Sequence, residues 1–472
     1  MKSFVAAAAL GLFSFVVACG DDSETATSGG GGKGTGGAET GTGGSPSTPS
    51  SSSASSSASS SASSSASGSP TSSSQSSQST ASGEGGNGGV GAGGSGAGGG
   101  ANSCGRGTGG GGEACRTPAP ADRDRYVVVG HSFDAVDTDW EVLRFTQAGE
   151  LEITGKHFSM GVAEDVRIAF TPDGRIGVAA QDGSVGVFSI DDNGEVTVID
   201  ANVAPDIYAA SLTMSADGAH VLVGDGNTTE NGGGLYRIDL DCETGEPSSA
   251  VLVADVNNAW GILDLGNGRW AVASQGGALG VENDSDVTDL CEGDPWTLIS
   301  GADPFPYDGR QVGAFAASRD GSFILAGDYS SFGDQPTNLA LVKVEADGLA
   351  TVDDSGLELD TPYDVAISPE GDVALVASYF GDALYVVDVD ASAAAPLTFR
   401  EELQYDGPGA TLSGKLTTID RGSLDGYVLA SELYGVRVVS FDGGGVVTDH
   451  GLLMLGEDED NVRIPVGIGV QP

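Results

Sequence analysis

The stretch Tyr363-Asp-Val-Ala-Ile-Ser-Pro-Glu-Gly371, then Asp372-Val-Ala-Leu-Val-Ala-Ser378, then Ala383-Leu-Tyr-Val-Val-Asp-Val-Asp390 reads as strand, turn, strand, turn, strand. Runs of Val, Ile, Leu, Ala and Tyr suit a half-buried pleated surface, and Pro-Glu-Gly supplies a tight turn between the first two. The same frame appears at Val166-Arg-Ile-Ala-Phe-Thr-Pro-Asp-Gly174, followed by strands at 175–180, 184–190 and 195–200. Each unit is therefore four short strands with almost no helical periodicity.

The glycine that closes each first turn recurs at Gly174, Gly218, Gly268, Gly321, Gly371 and Gly422, with spacings of 44, 50, 53, 50 and 51 residues. A seventh unit is split between the ends of the folded region: Arg125-Tyr-Val-Val-Val-Gly130 opens it, and Val466-Gly-Ile-Gly-Val-Gln-Pro472 supplies its missing first strand. A lone four-stranded sheet leaves two apolar faces in water, whereas radial stacking buries both. The period predicts an all-β, seven-bladed β-propeller over residues 122–472, closed by N- and C-terminal strands within one blade.

Ahead of it the composition changes. Met1-Lys2 and the apolar run Phe4 to Ala18 read as an export signal over residues 1–18, since 15 residues are too few to span a bilayer comfortably. The run ends in Val16-Val17-Ala18-Cys19, which resembles the lipobox of bacterial lipoproteins. That resemblance implies lipidation of Cys19. Gly20 stands where the inner-membrane retention signal would place Asp, which tilts the address toward the outer membrane or cell surface, with the periplasmic side left open. Residues 19–103 are Gly tracts and Ser-Ser-Ser-Ala repeats with no apolar face, a tether spanning roughly 50 Å as a coil.

Charge narrows the partners. Aspartate and glutamate number 67 against 20 lysines and arginines in 472 residues, and residues 122–472 alone hold 61 acids and 16 bases. Nucleic acid is excluded as a partner, because phosphate affinity needs clustered cations. With Cys19 lipidated, four cysteines remain in an oxidising compartment. Cys104 and Cys115 bound a small loop over residues 104–121 and are expected to pair. Cys242 and Cys291, 49 residues apart in successive repeats, are expected to staple blades three and four.

The phrases Thr-Pro-Asp-Gly174 and Ser-Pro-Glu-Gly371 resemble the YVTN-type and lactonase-like seven-bladed propellers. The resemblance implies a ligand site at the face carrying the fourth-to-first and second-to-third strand loops. At that rim the frame places Arg167, Asp364 and Lys415, suited to a carboxylate or sugar hydroxyls, with Trp260 and Tyr363 as apolar surface. Asp364 and Lys415, on adjacent blades, are expected to pair. His131, His157, Asp165 and Arg167 form the weak catalytic candidate, with Arg167 as oxyanion stabiliser. His220 and His450 fall elsewhere. The acidic runs at 191–193, 284–286 and 457–461 are oxygen-rich and suited to Ca²⁺, with Asp458 and Asp460 as the candidate ligands, although none has calcium-loop spacing. His131, His157 and Asp165 are alternatively a set able to bind a transition metal, while motifs of serine hydrolases, zinc proteases and dinucleotide folds are absent.

Two functions fit. One is a non-catalytic, lipid-anchored propeller that binds an envelope protein, a polysaccharide or a small ligand. The other is a lactonase-like hydrolase or lyase working at the loop-rich face.

Overall fold

The computed structural model describes residues 104, 117–131, 139–161, 167–181, 183–205, 207–227, 233–274, 285–305, 312–328, 338–352, 356–378, 383–404, 415–455 and 464–472. All six marker glycines lie at φ between 68° and 78°, the left-handed region that a Cβ disfavours. Four of them close one recurring turn. The Gly174, Gly218, Gly321 and Gly371 amides donate to the carbonyls of Thr171, Ser215, Ser318 and Ser368 at 2.7 to 2.9 Å. The hydroxyls of the same four residues accept the amides of Ile176, His220, Phe323 and Val373 at 3.1 to 3.2 Å, which starts the second strand in register.

These turns organise seven antiparallel sheets. Blade 1 orders Pro465–Val470, Arg125–His131, Asp139–Phe145 and Leu151–Ser159. Blade 2 holds Ile168–Phe170, Ile176–Gln181, Ser184–Ile190 and Val196–Asp200. Blade 3 runs Ala209–Met214, His220–Asp225, Leu235–Asp239 and Val251–Ala254, and blade 4 Gly261–Gly266, Arg269–Ala273, Val287–Cys291 and Thr297–Ala302. Blade 5 comprises Val312–Ala317, Phe323–Asp328, Asn338–Glu345 and Gly348–Thr351, with Leu357–Glu358 added against its third strand. Blade 6 is Pro362–Ile367, Val373–Ser378, Ala383–Val389 and Leu397–Gln404. Blade 7 is Leu416–Thr418, Tyr427–Glu432, Gly435–Asp442 and Val446–Met454.

Period-two alternation makes each strand feed two cores. Val127 and Val129 pack with Leu429, Val436 and Val438 of blade 7, while Val128 packs with Ala179 and Phe188 of blade 2. Further clusters fill the seams between blades 2 and 3, 3 and 4, 4 and 5, 5 and 6, and 6 and 7. Seven blades and seven apolar seams make a closed ring. The closure is the expected one: Val127, Val128 and Val129 pair with Val470, Gly469 and Ile468.

One seam holds a misfit. His220 is buried between blades 3 and 4, 6.1 Å from the Trp270 ring, and neither imidazole nitrogen has a hydrogen-bond partner. Burial, aided by the Arg237 charge, pushes its pKa down to about 4. A base with a folded pKa below its unfolded value of about 6.5 leaves the native state holding fewer protons between the two. Its contribution is intact above pH 6.5 and is lost as pH falls toward 4, by about 3 kcal/mol at the end of the window. We expect wild-type protein to lose melting temperature between pH 6.5 and 4.5, and His220→Phe to lose markedly less. Parallel pH profiles for the two proteins would remove this role from His220.

Candidate functional site

The first strand of each blade lines the central channel. Arg167, just ahead of Ile168–Phe170 in blade 2, reaches across to Asp364 in blade 6, three blades away on a ring of seven and so nearly opposite. Its Nη1 and Nη2 donate to Asp364 Oδ2 and Oδ1 at 2.7 and 3.0 Å, a two-pronged charge-assisted pair. The Val365 and Leu416 amides each donate to the same carboxylate at 2.9 Å. Four donors therefore hold one buried carboxylate, and a single crossbar spans the channel.

This corrects the expected pairing of Asp364 with Lys415. The Lys415 ammonium instead lies 4.1 Å from the centre of the Tyr363 ring, a cation–π contact.

Next to the crossbar lies a cavity of about 300 Å³, walled by Leu263, Phe315, Val365, Ile367 and Leu416, with Arg167, Asp364 and Thr418 as polar elements. More of the surface exposed to it is polar than apolar, so Arg167, Asp364 and Thr418 offer the orienting contacts that a small-ligand site needs. Trp260 also belongs near this rim, but it is 8 % exposed and meets Tyr208 edge-on at 6.0 Å, so it offers little stacking surface.

The histidine candidates do not converge on Arg167. His131 is buried, and its Nε2 lies 3.2 Å from Glu141 Oε2 within blade 1. His157 is exposed on the outer strand of that blade, opposite Glu141 in register. Both project toward blade 7, because Val129 and Leu143 on the same face belong to that seam. Asp165 lies outside the described residues, as do Cys19, Cys115, Asp284, Asp458 and Asp460. Asp191 accepts the amides of Asn193 and Glu195 at 2.9 and 2.8 Å, a turn-capping role that holds its carboxyl below the usual range. Among the described residues no group of three His, Cys, Asp or Glu side chains is placed to hold a metal ion.

A ring of polar residues escaped the sequence reading. The second strand of each blade ends in a buried polar side chain at the rim, or in blade 4 is followed at once by one: His131, Gln181, Asp225, Ser274, Asp328, Ser378 and Glu432. Strand alternation turns each toward the preceding blade. The signal is present in the sequence, since Gln181, Asp225, Asp328 and Ser378 each stand seven residues after a marker glycine. Burial raises the Asp225 carboxyl above its usual range, against the hydrogen bonds it accepts from Asn227.

The disulfide expectation is corrected in its pairing. Cys104 is joined to Cys291, with their Cα atoms 5.3 Å apart, so neither Cys104–Cys115 nor Cys242–Cys291 forms. Cys242 is disulfide-bonded as well. The reason is spatial: Cys291 ends the third strand of blade 4 beside the Gly268 turn, on the side where the chain enters the domain, and Ala119 bonds to Pro172 of the equivalent blade 2 turn.

Neither a protein-family model nor a curated protein matches this chain. Solved structures do. A hypothetical selenium-binding protein from Sulfolobus tokodaii is similar at a TM-score of 0.54 and 9% identity, over 76% of this chain and 96% of that one. A putative 6-phosphogluconolactonase from Bacteroides uniformis is similar at a TM-score of 0.44 and 14% identity, covering 72% and 85%. The periplasmic gluconolactonase of Pseudomonas aeruginosa stands at a TM-score of 0.36 and 13% identity, covering 71% and 84%. At these identities the likeness concerns the fold: the chain is a seven-bladed β-propeller with lactonase-like proteins among its structural neighbours.

Proposed function

We propose that this chain is an exported recognition module, lipid-anchored through Cys19, that carries its propeller on the 19–103 tether and holds a small ligand in the central channel without turning it over. The observation supporting this reading is the crossbar. Arg167, the one candidate oxyanion stabiliser, is bound two-pronged to Asp364, while His131 sits against Glu141 in another blade. A general base and an oxyanion donor must meet the same reacting carbonyl.

The cavity describes the ligand. At about 300 Å³, with more polar than apolar surface exposed to it, it suits a compact polar ligand with a hydrogen-bond-accepting head near Arg167. Tyr363 and Lys415, held against each other, form the adjoining rim. A site for calcium at Asp458 and Asp460 and an outer-membrane or surface address belong to the same proposal.

A panel of short-chain hydroxy acids, carboxylates and their lactones tests it. The expected result is saturable stabilisation by one or more members with no lactone turnover, weakened at least tenfold in Arg167→Gln. Lactone hydrolysis that disappears in both Arg167→Gln and His131→Ala would replace this reading with the hydrolase.

A further inference from the structure

All eight of the other arginines among the described residues, from Arg144 to Arg437, hold a carboxylate oxygen within 4.0 Å. Arg123, Arg125 and Arg421 hold none. In a chain with a formal charge of −47, these three cations instead gather with one another and bond only to main-chain oxygens. Arg125 Nη2 donates to the carbonyls of Arg421 and Ala121 at 2.9 and 3.1 Å, and its Nη1 to Gln471 at 3.0 Å. Arg421 Nη2 donates to Pro172 at 3.1 Å and Arg123 Nη2 to Pro472 at 3.3 Å. The Arg123 fork stands 2.7 Å from where a Cβ on Gly174 would be, so Arg123 and Arg421 flank the same 172–174 turn.

Each of the three has a buried Nε–H with no partner, and the Arg125 side chain is almost wholly enclosed. Burial holds Arg123 and Arg125 below the usual arginine range, and the neighbouring guanidiniums add to that. Four acids act on the cluster without an oxygen within 4.0 Å, Asp192 and Asp173 on Arg123 and Asp420 and Asp122 on Arg125, and of these Asp173 bonds Arg175 and Thr171 while Asp122 accepts the Ser423 amide.

We propose that Arg123, Arg125 and Arg421 form a binding site for a tetrahedral oxyanion of the phosphate or sulfate class, on the propeller face where the chain enters and the ring closes. A carboxylate offers two oxygens and one charge, which is a poor match to three forked cations arriving from two segments. A phosphate offers more acceptors and nearly twice the charge, and planar guanidinium groups suit it geometrically. Because the cluster joins the segment before blade 1, the blade 7 turn, the blade 2 turn and residues 471–472, an anion there links the two strands that close the ring. The anion can be free in solution or part of a phosphorylated lipid headgroup.

The test is the melting temperature of the full chain in 10 mM inorganic phosphate, against sodium chloride at equal ionic strength. The expected result is a saturable rise of roughly 3 °C, lost in Arg123→Gln/Arg421→Gln, whose two side chains are only partly buried. No rise beyond the chloride control, or an equal rise in the double variant, overturns the site. If that variant does not fold, phosphate titration of the wild type by calorimetry decides: absence of saturable binding below 10 mM overturns it as well. Co-sedimentation with anionic phospholipid vesicles that phosphate competes away assigns a headgroup as the source. Retained phosphate binding without sedimentation assigns the free ion.

Discussion

Deletion of residues 466–472 is expected to abolish the cooperative thermal transition or to lower its midpoint by more than 15 °C. The segment is the first strand of blade 1 and pairs along Val127 to Gly130. Ile468 is 2 % exposed in the seam between blades 7 and 1, and its carbonyl accepts the Thr417 hydroxyl at 2.7 Å. Gly469 lies so close to Ile168 of blade 2 that a Cβ there would come within 2.5 Å of it. The Gln471 side chain accepts the Tyr126 amide and donates to the Gly174 carbonyl, while its own carbonyl takes Arg125. Removal would therefore take the Nη1 acceptor from the buried Arg125 guanidinium, expose an inner edge of blade 1 and uncover apolar surface on both adjacent seams. Each of these losses ranks among the large single-site effects. Circular dichroism melts and limited proteolysis read the outcome. A truncated protein as heat-resistant as the intact chain would mean that the ring does not depend on this closure.

The ring was legible in the sequence for a local reason. A Ser or Thr three residues before a positive-φ glycine builds one turn, and that turn recurs at about the repeat length, so Thr171–Gly174 and Ser368–Gly371 announce the same blade twice. The split blade was legible because Val466–Pro472 carries the strand and proline of Tyr363–Pro369 without the turn that follows. The rim was legible only as a set of positions. Arg167, Asp364 and Lys415 occupy equivalent places in their repeats, but repeat position says nothing about which residues meet across a channel. Neighbouring blades suggested Asp364 with Lys415, whereas the length of an arginine and the bore of a seven-membered ring allow Arg167 instead. Cysteine pairing failed for the same reason. Cys104 and Cys291 are 187 residues apart in the chain and adjacent in space, because the segment entering the domain reaches the edge of blade 4. Equivalence of repeats predicts shape well, and contacts between unlike segments poorly.

The Arg167–Asp364 crossbar carries the second large effect. Asp364→Ala should destabilise the protein by about 3–5 kcal/mol, because it leaves a guanidinium that is largely shielded from water without its counter-charge and removes the acceptor of two buried amides, Val365 and Leu416. Arg167→Met should cost less, since the carboxylate keeps both amide donors. Asp364→Asn separates charge from hydrogen bonding: the amide oxygen still accepts, so its loss should fall between the two. The pair Arg167→Met/Asp364→Leu removes both charges together and should recover part of what Asp364→Ala loses, giving a coupling energy well above the 0.3–0.5 kcal/mol seen for independent sites. Urea unfolding of the wild type and these variants measures it, and additive losses would show that the two side chains act separately. The same variants bear on ligand binding. If the crossbar closes the channel beside the cavity, opening it by Arg167→Met/Asp364→Leu should speed ligand exchange in stopped-flow measurements, whereas Arg167→Gln should weaken affinity by removing the charge near the ligand head.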